Sequence, residues 1–123
     1  MGFNYNHVTL VGRAIKDPEL KQISDNSVKL SFILAVNRSY RKDDGSHETD
    51  FVPVTFWGKP AEIGFQLIQK ASPVLVWGKI KVRNYEKDNE KKWITEVVGE
   101  NFQMLERLPN KAEDKEKEKV KTK

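Results

Sequence analysis

The stretch that decides the fold is residues 28–37, VKLSFILAVN. Every even position from Val28 to Val36 holds a large apolar residue, whereas the odd positions are mixed. Successive side chains of a β-strand point to opposite faces of its sheet, so this period of two predicts a half-buried strand. A turn signal, Asp43-Asp44-Gly45, comes next, and after it the run DFVPVTFW at 50–57 predicts a partner strand. The two runs together predict a long β-hairpin.

The remaining elements lie on both sides of this hairpin. Further strands are predicted at residues 7–12, 74–83 and 93–98, with a turn at Asp88-Asn89 between the last two. One helix is predicted from Pro60 to Lys70, because proline suits a first helical position and Ala61, Phe65 and Ile68 follow at helical spacing. Pro53 cannot donate a ladder hydrogen bond, so the strand that contains it is expected to lie at an edge or to bulge there.

Five strands with one short helix between the third and the fourth predict an all-β fold, the oligonucleotide-binding (OB) barrel, although other small barrels share this order. The chain of 123 residues has the size of one domain, which we place at residues 1–108. Residues 109–123 contain six lysines and four acidic residues and almost nothing apolar. They are predicted to form a disordered charged tail, since they cannot offset the entropy of ordering.

The composition limits the possible functions. Cysteine is absent, which excludes disulfides and thiolate metal sites and suits a reducing cytoplasm. The N-terminus carries no export or lipidation signal, so no membrane association is expected. A net charge of +4 is too small to indicate a polyanionic partner by itself. Any case for nucleic-acid binding therefore depends on where the charges lie.

Two rings and a basic strip are the candidate binding groups. Phe51 and Trp57 share the strand face that avoids the aliphatic residues, although both rings packing under loops is an equal alternative. Lys79, Lys81, Arg83 and Tyr85 likewise share one face of the fourth strand, opposite Ile80 and Val82. Cations that follow phosphates beside rings that accept bases are what sequence-tolerant single-strand binding requires, while an ordinary solvated face is the alternative. At the tip of the long hairpin an aromatic residue alternates with basic ones, which makes four weaker candidates: Arg38, Tyr40, Arg41 and Lys42.

Nothing in the sequence indicates an enzyme. His7 and His47 are the only histidines and belong to no metal-like cluster, and there is no phosphate loop or nucleophile elbow. Asp43, Asp44, Glu48 and Asp50 cluster at a turn, where solvation and turn formation explain them. We expect no catalytic residue, no metal and no cofactor. A nuclease or a barrel that binds only proteins remains as an alternative function.

Several segments resemble the bacterial single-stranded DNA-binding protein family. They are NHVTLVGR at 6–13 followed by Asp17-Pro18-Glu19, FWGKPAE at 56–62 and WITEVV at 93–98. The resemblance runs through residues 5–106 and implies binding of single-stranded DNA in the cytoplasm, at the nucleoid. It also implies a homo-oligomer, a tetramer built from dimers or a dimer alone. The base-stacking rings it implies are Tyr40, Phe51, Trp57 and Tyr85.

The sequence departs from the family pattern in three places. Tyr40, Phe51 and Tyr85 stand where well-known members have tryptophan, which keeps a π-face of smaller area. Val52 replaces a histidine near the subunit interface of some members, which makes the tetramer a weaker expectation than the barrel. The chain ends in KVKTK rather than in the family's acidic tip. We therefore do not expect recruitment of replication and repair proteins through such a tip.

Overall fold

The computed structural model describes residues 2–106. Within them the elements are β1 Val8–Ala14, β2 Glu19–Ser24, β3 Ser27–Asn37, β4 Thr49–Trp57, α1 Lys59–Leu67, β5 Pro73–Lys87 and β6 Glu90–Met104. The predicted all-β architecture with one helix between the long hairpin and the last two strands is confirmed. The predicted tail, residues 109–123, lies outside the described residues, so the domain boundary at 108 stays a prediction.

The alternation of β3 makes the centre of the core. Leu30, Phe32 and Leu34 are buried on one face of the strand, as the pattern of two predicts. Val54 and Phe56 of β4 join them from the paired strand. The rings of Phe32 and Phe56 lie 6.0 Å apart between centroids. Other buried members come from β1, α1, β5, β6 and the residue that follows α1: Ala14, Ala61, Val74, Val76, Val97 and Ile68.

The sheet closes into a barrel. Its strands follow the order β1-β5-β6-β4-β3, and β1 pairs with β3 through Arg13 and Ala14 to complete the ring. A Cβ atom at Gly12 would collide with the carbonyl oxygen of Ala35, so glycine permits the close approach of these two strands. Closure leaves few free strand edges, which is how small barrels avoid edge-to-edge aggregation.

The structure contains a sixth strand, β2, that the sequence did not predict. β2 pairs with the first half of β3, at residues 27–31, whereas β1 pairs with the same edge further along. β1 and β2 therefore occupy one position in the barrel, interrupted at Asp17-Pro18, where the sequence has its breakers. All of β2 is exposed, so its residues carry no alternation that would indicate a strand.

Helix α1 is shorter than predicted. It ends at Leu67 rather than at Lys70, because Ile68 already has the extended backbone angles φ −87° and ψ 130°. The predicted apolar face is also partly wrong, since Phe65 is 52% exposed. The helix packs instead through Ala61 and Gly64, and a Cβ at Gly64 would lie 2.8 Å from Cδ2 of Leu30. Close packing of small residues thus replaces the expected aromatic contact.

β5 and β6 form a long hairpin that extends past the barrel. The predicted turn at Asp88-Asn89 is confirmed, with φ values of 54° and 64° that suit a tight hairpin connection. From Lys79 to Lys87 every residue of β5 is exposed. Ile80 and Val82, which the alternation placed with the aliphatic set, are therefore not covered within residues 2–106.

The expectation of an edge strand or a bulge at Pro53 is wrong, because β4 lies between β3 and β6 and its register with β3 is unbroken. On its β6 side, however, β4 pairs only at Val54 and Thr55, so Pro53 itself is unpaired there. Across the hairpin Pro53 faces Ile33, whose carbonyl oxygen accepts a hydrogen bond from the backbone of Ile15 rather than from β4. The β3–β4 ladder therefore does not need the N–H that proline lacks.

In residues 2–106 no helix is long and apolar enough to cross a membrane.

Candidate nucleic-acid interface

The outer face of the β3–β4 hairpin carries the two predicted rings. Phe51 lies opposite Ala35 and Trp57 lies opposite Lys29, so both side chains point away from the core. Phe51 is 63% exposed and Trp57 is 43% exposed, which confirms the predicted placement on the non-core face. They lie six positions apart along an extended strand, a distance of about 20 Å. Two different bases would therefore stack on the two rings.

Lys29 is a site residue that the sequence reasoning missed. Its Nζ atom lies over the Trp57 ring, 5.6 Å from the ring centroid, within the range of a cation–π interaction. The ammonium therefore lies against one face of the indole. The alternation placed Lys29 on the outer face, but only the strand register shows which ring it meets.

A groove of about 280 Å³ lies next to this outer face. Three cations line it, and they come from different elements: Lys16, Lys29 and Arg83. Pro53 and Thr55 contribute its β4 wall. The fold thus brings Arg83 of β5 to the hairpin face that carries the rings. The alternation within one strand cannot predict this proximity. Three carboxylates also line the groove, from Asp17, Glu19 and Glu96.

The basic residues of β5 share one exposed face, as predicted. We call Lys79, Lys81 and Arg83 the β5 strip. Nζ of Lys79 lies 3.8 Å from Glu100, and Nε of Arg83 lies 3.6 Å from Glu96. Lys81 makes no ion pair within the described chain. The strip is therefore partly neutralised by β6, which the sequence pattern did not indicate. Tyr85 follows it on the same face and is exposed.

A denser charge cluster lies at the tip of the long hairpin. Arg38 donates to both carboxylate oxygens of Asp50, at 3.3 and 3.1 Å, and to Oε2 of Glu48 at 2.7 Å. The hydroxyl of Tyr40 donates to the same Glu48 oxygen at 3.2 Å, and Nζ of Lys42 lies 3.9 Å from Oε1. These contacts join three of the four predicted tip residues. The fourth is Arg41, which makes no hydrogen bond or ion pair with residues 2–106.

Hydrogen bonds at the tip favour the charged forms of Arg38 and Asp50. The hydrogen bonds from Arg38 lower the pKa of the Asp50 carboxyl. The same bonds, together with a hydrogen bond from Arg38 to the Tyr40 hydroxyl, raise the pKa of the Arg38 guanidinium further above its ordinary value. At the neighbouring turn, hydrogen bonds from the hydroxyl and backbone of Ser46 lower the pKa of the Asp44 carboxyl. Turn formation therefore accounts for Asp44, as the sequence indicated.

The two histidines each make a local hydrogen bond. His7 hydrogen-bonds the hydroxyl of Thr9 at 3.0 Å, and Nδ1 of His47 bonds the carbonyl oxygen of Arg38 at 2.8 Å. No group of three or more His, Cys, Asp or Glu side chains between residues 2 and 106 is arranged to hold a metal ion.

Comparison with known proteins decides the family. The model of the single-strand binding protein family matches residues 5–105, which include every candidate side chain described above. The chain belongs to the single-strand binding protein family. Its members are binding proteins and not enzymes, in agreement with the sequence prediction.

Individual relatives agree with this assignment. The chain is 45% identical over 103 residues to single-stranded DNA-binding protein 1 of Clostridium acetobutylicum, covering 82% of this chain and 94% of that protein. It is 43% identical over 102 residues to the single-stranded DNA-binding protein of Enterococcus faecalis. That match covers 82% of this chain but only 54% of the relative, so the chain spans about half of its length.

In this family member the candidate residues form two clusters rather than one. Phe51, Trp57 and Lys29 lie on the outer hairpin face, and Arg83 of the β5 strip lines the groove together with Lys29. Arg38, Tyr40 and Lys42 lie around Glu48 at the tip, and Arg38 connects the tip to β4 through Asp50. A strand of nucleic acid following β4 from tip to barrel would pass both clusters.

Proposed function

We propose that this protein binds single-stranded DNA without sequence preference and protects it during replication, recombination and repair. The observation that carries the proposal is the exposure of Phe51 and Trp57 on one outer face, beside a groove lined by three cations and three carboxylates. The names of the relatives support the choice of ligand.

Each group has a separate task in this proposal. The rings of Phe51, Trp57, Tyr40 and Tyr85 stack on bases, and because every base has a π-face this contact tolerates any sequence. The cations contact phosphates, which fixes the path of the strand but reads no base. Lys29 supports the Trp57 ring from one face and adds a positive charge beside it.

The carboxylates of the interface moderate this binding. Lys79 and Arg83 each have a carboxylate within 4 Å, so a phosphate that binds them must exchange with an existing ion pair. The exposed pair of Lys79 with Glu100 contributes about 0 to 1 kcal/mol, so its exchange is easily reached. The Glu96 side chain is only 16% exposed, so its pair with Arg83 is less screened and exchanges less easily. Lys81, which has no such pair, contacts phosphate without exchange.

Fluorescence titration with oligo-dT tests the proposal. Stacking of thymine on Trp57 quenches indole emission, and the affinity falls as salt rises, by roughly 0.7 units of log K per unit of log salt for each phosphate contact. Trp93 is 67% exposed and also emits, so a Trp57→Phe variant assigns the quenched signal. Unchanged emission and no binding at low salt would leave the protein-interaction barrel as the better reading.

We further propose that the protein assembles with copies of itself through β1. This strand pairs with β5 along Val8–Arg13 but meets β3 only at Arg13 and Ala14, so its other edge is free from Val8 to Gly12. A free apolar edge readily pairs with a second copy of itself across a two-fold axis. Light scattering that gives the mass of a single chain at micromolar concentration would refute this.

A tetramer needs a second contact surface. The hairpin face opposite the β5 strip carries Ile80, Val82 and Trp93, all exposed, and the register puts them on the same side. We propose that this face joins two dimers. The proposed place of action is the cytoplasm, at the nucleoid, where single strands arise during replication, and the lack of cysteine is compatible with that reducing compartment.

A further inference from the structure

We propose that Glu48 occupies the phosphate position of the hairpin tip, so that bound DNA must displace it. This inference rests on the proposed function, and it makes Glu48 a residue that limits affinity. Both of its carboxylate oxygens are engaged, Oε2 by Arg38 and Tyr40 and Oε1 by Lys42. All three partners are groups assigned to DNA.

The local fold fixes Glu48 in this position. The backbone N–H of Arg38 donates to the carbonyl oxygen of Glu48 at 2.8 Å, so the two residues face each other across the hairpin. Closer to the turn, the N–H of Lys42 donates to the carbonyl oxygen of Ser46 at 2.7 Å. The carboxylate therefore lies among the tip cations in the DNA-free protein. Carboxylates and phosphates are bound by arginine with the same donor geometry, so either fits there.

Glu48 is not needed to position Arg38. The guanidinium already donates two hydrogen bonds to Asp50 on the other side, and these use Nε and Nη2. The Glu48 bond uses Nη1, the nitrogen that remains, which also donates a longer hydrogen bond of 3.4 Å to the Tyr40 hydroxyl. When Glu48 leaves, Arg38 keeps its anchor and offers Nη1 to a phosphate. The carboxylate thus behaves as a displaceable anion rather than as a structural support.

Displacement is energetically accessible. The side chains of Arg38, Lys42 and Glu48 are 46%, 47% and 41% exposed, so their ion pairs are well solvated and individually weak. A phosphate that replaces the carboxylate also releases the counterions condensed on DNA, which the carboxylate cannot do. The balance favours DNA at low salt and shifts back as salt rises.

The test is the affinity of Glu48→Gln for oligo-dT, measured beside the wild type over a range of salt concentrations. Removing the competing charge should raise the affinity about two- to fivefold at low salt, the equivalent of an exposed ion pair. The gain should shrink toward one near 1 M salt, where the Debye length is about 3 Å. Glu62→Gln on α1 is the matched control, because it removes the same charge from an exposed position outside the proposed interface.

The outcomes separate the possible explanations. Unchanged or weaker binding of Glu48→Gln, while the wild type binds, overturns the inference and leaves the proposed function in place. An equal gain in Glu62→Gln overturns it too, because the effect would then be that of net charge. In a background of Arg38→Gln with Lys42→Gln the gain should vanish, and its persistence would also overturn the inference. Absence of wild-type binding would overturn both the inference and the proposed function.

Discussion

Replacement of Phe51 by alanine is expected to weaken DNA binding while leaving the protein folded. The ring is 63% exposed, so little of it packs against the barrel. With about 200 Å² for a whole phenylalanine side chain and about 25 cal/mol per Å² of apolar surface, the covered part accounts for at most about 2 kcal/mol of stability. Loss of one base stack is expected to lower the binding free energy by about 1 to 3 kcal/mol, which is about a 5- to 150-fold drop in affinity.

Phe65→Ala provides the matched control. It deletes the same ring from a site of similar exposure, 52%, on α1, outside the proposed interface. Affinity for oligo-dT and the midpoint of urea unfolding should be measured for both variants. We expect both to lose similar stability and only Phe51→Ala to lose affinity. Equal affinities for the two variants would refute the assignment of the outer hairpin face.

Three further predictions concern charge, assembly and packing. Changing all three residues of the β5 strip to glutamine should reduce the slope of log affinity against log salt by up to about 2 in magnitude. A larger reduction on deletion of residues 109–123 would show that the charges that bind DNA lie in that segment instead. Val11→Lys should give a single-chain mass in light scattering, because lysine on an exposed edge blocks strand pairing, and an unchanged oligomer would place the interface elsewhere. Gly99→Ala should destabilise the fold by about 1 to 3 kcal/mol in urea unfolding, because the added Cβ would collide with the buried ring of Phe56. An unfolding midpoint equal to that of the wild type would show that the core rearranges to accept the methyl group.

The barrel could be predicted from sequence because its central strands alternate strictly. The same parity that buries Leu30 and Phe56 puts Phe51 and Trp57 outside, so the exposure of the rings follows from the core. The turn at Asp88-Asn89 was predictable for a similarly local reason, since these residue types tolerate positive φ.

The errors come from features that depend on tertiary contacts. Gly64 reads as a weak helix residue, yet its lack of a side chain lets α1 approach Leu30, and Phe65 then turns outward. Ile80 and Val82 have the pattern of a buried strand but lie where the hairpin has already left the barrel. A periodicity describes which residues share a face and not whether another layer covers that face.

The electrostatics of the interface could not be obtained from sequence at all. Contact of Lys29 with Trp57 depends on the β3–β4 register, and the pairing of Arg83 with Glu96 depends on that of β5 and β6. From the sequence, Glu48 is an ordinary turn carboxylate, whereas in the fold it lies between Arg38 and Lys42. Cross-strand pairs of this kind require knowledge of which residues are opposite.

Ultraviolet crosslinking to oligo-dT, followed by mass spectrometry of the crosslinked peptides, tests the central claim most directly. Thymines stacked on aromatic rings crosslink to them, so we expect adducts at Phe51 and Trp57, the exposed rings of β4. The adducts should disappear as salt is raised and the complex dissociates. Crosslinks confined to Phe65 on α1, or to Phe3 and Tyr5 near the N-terminus, would contradict the account.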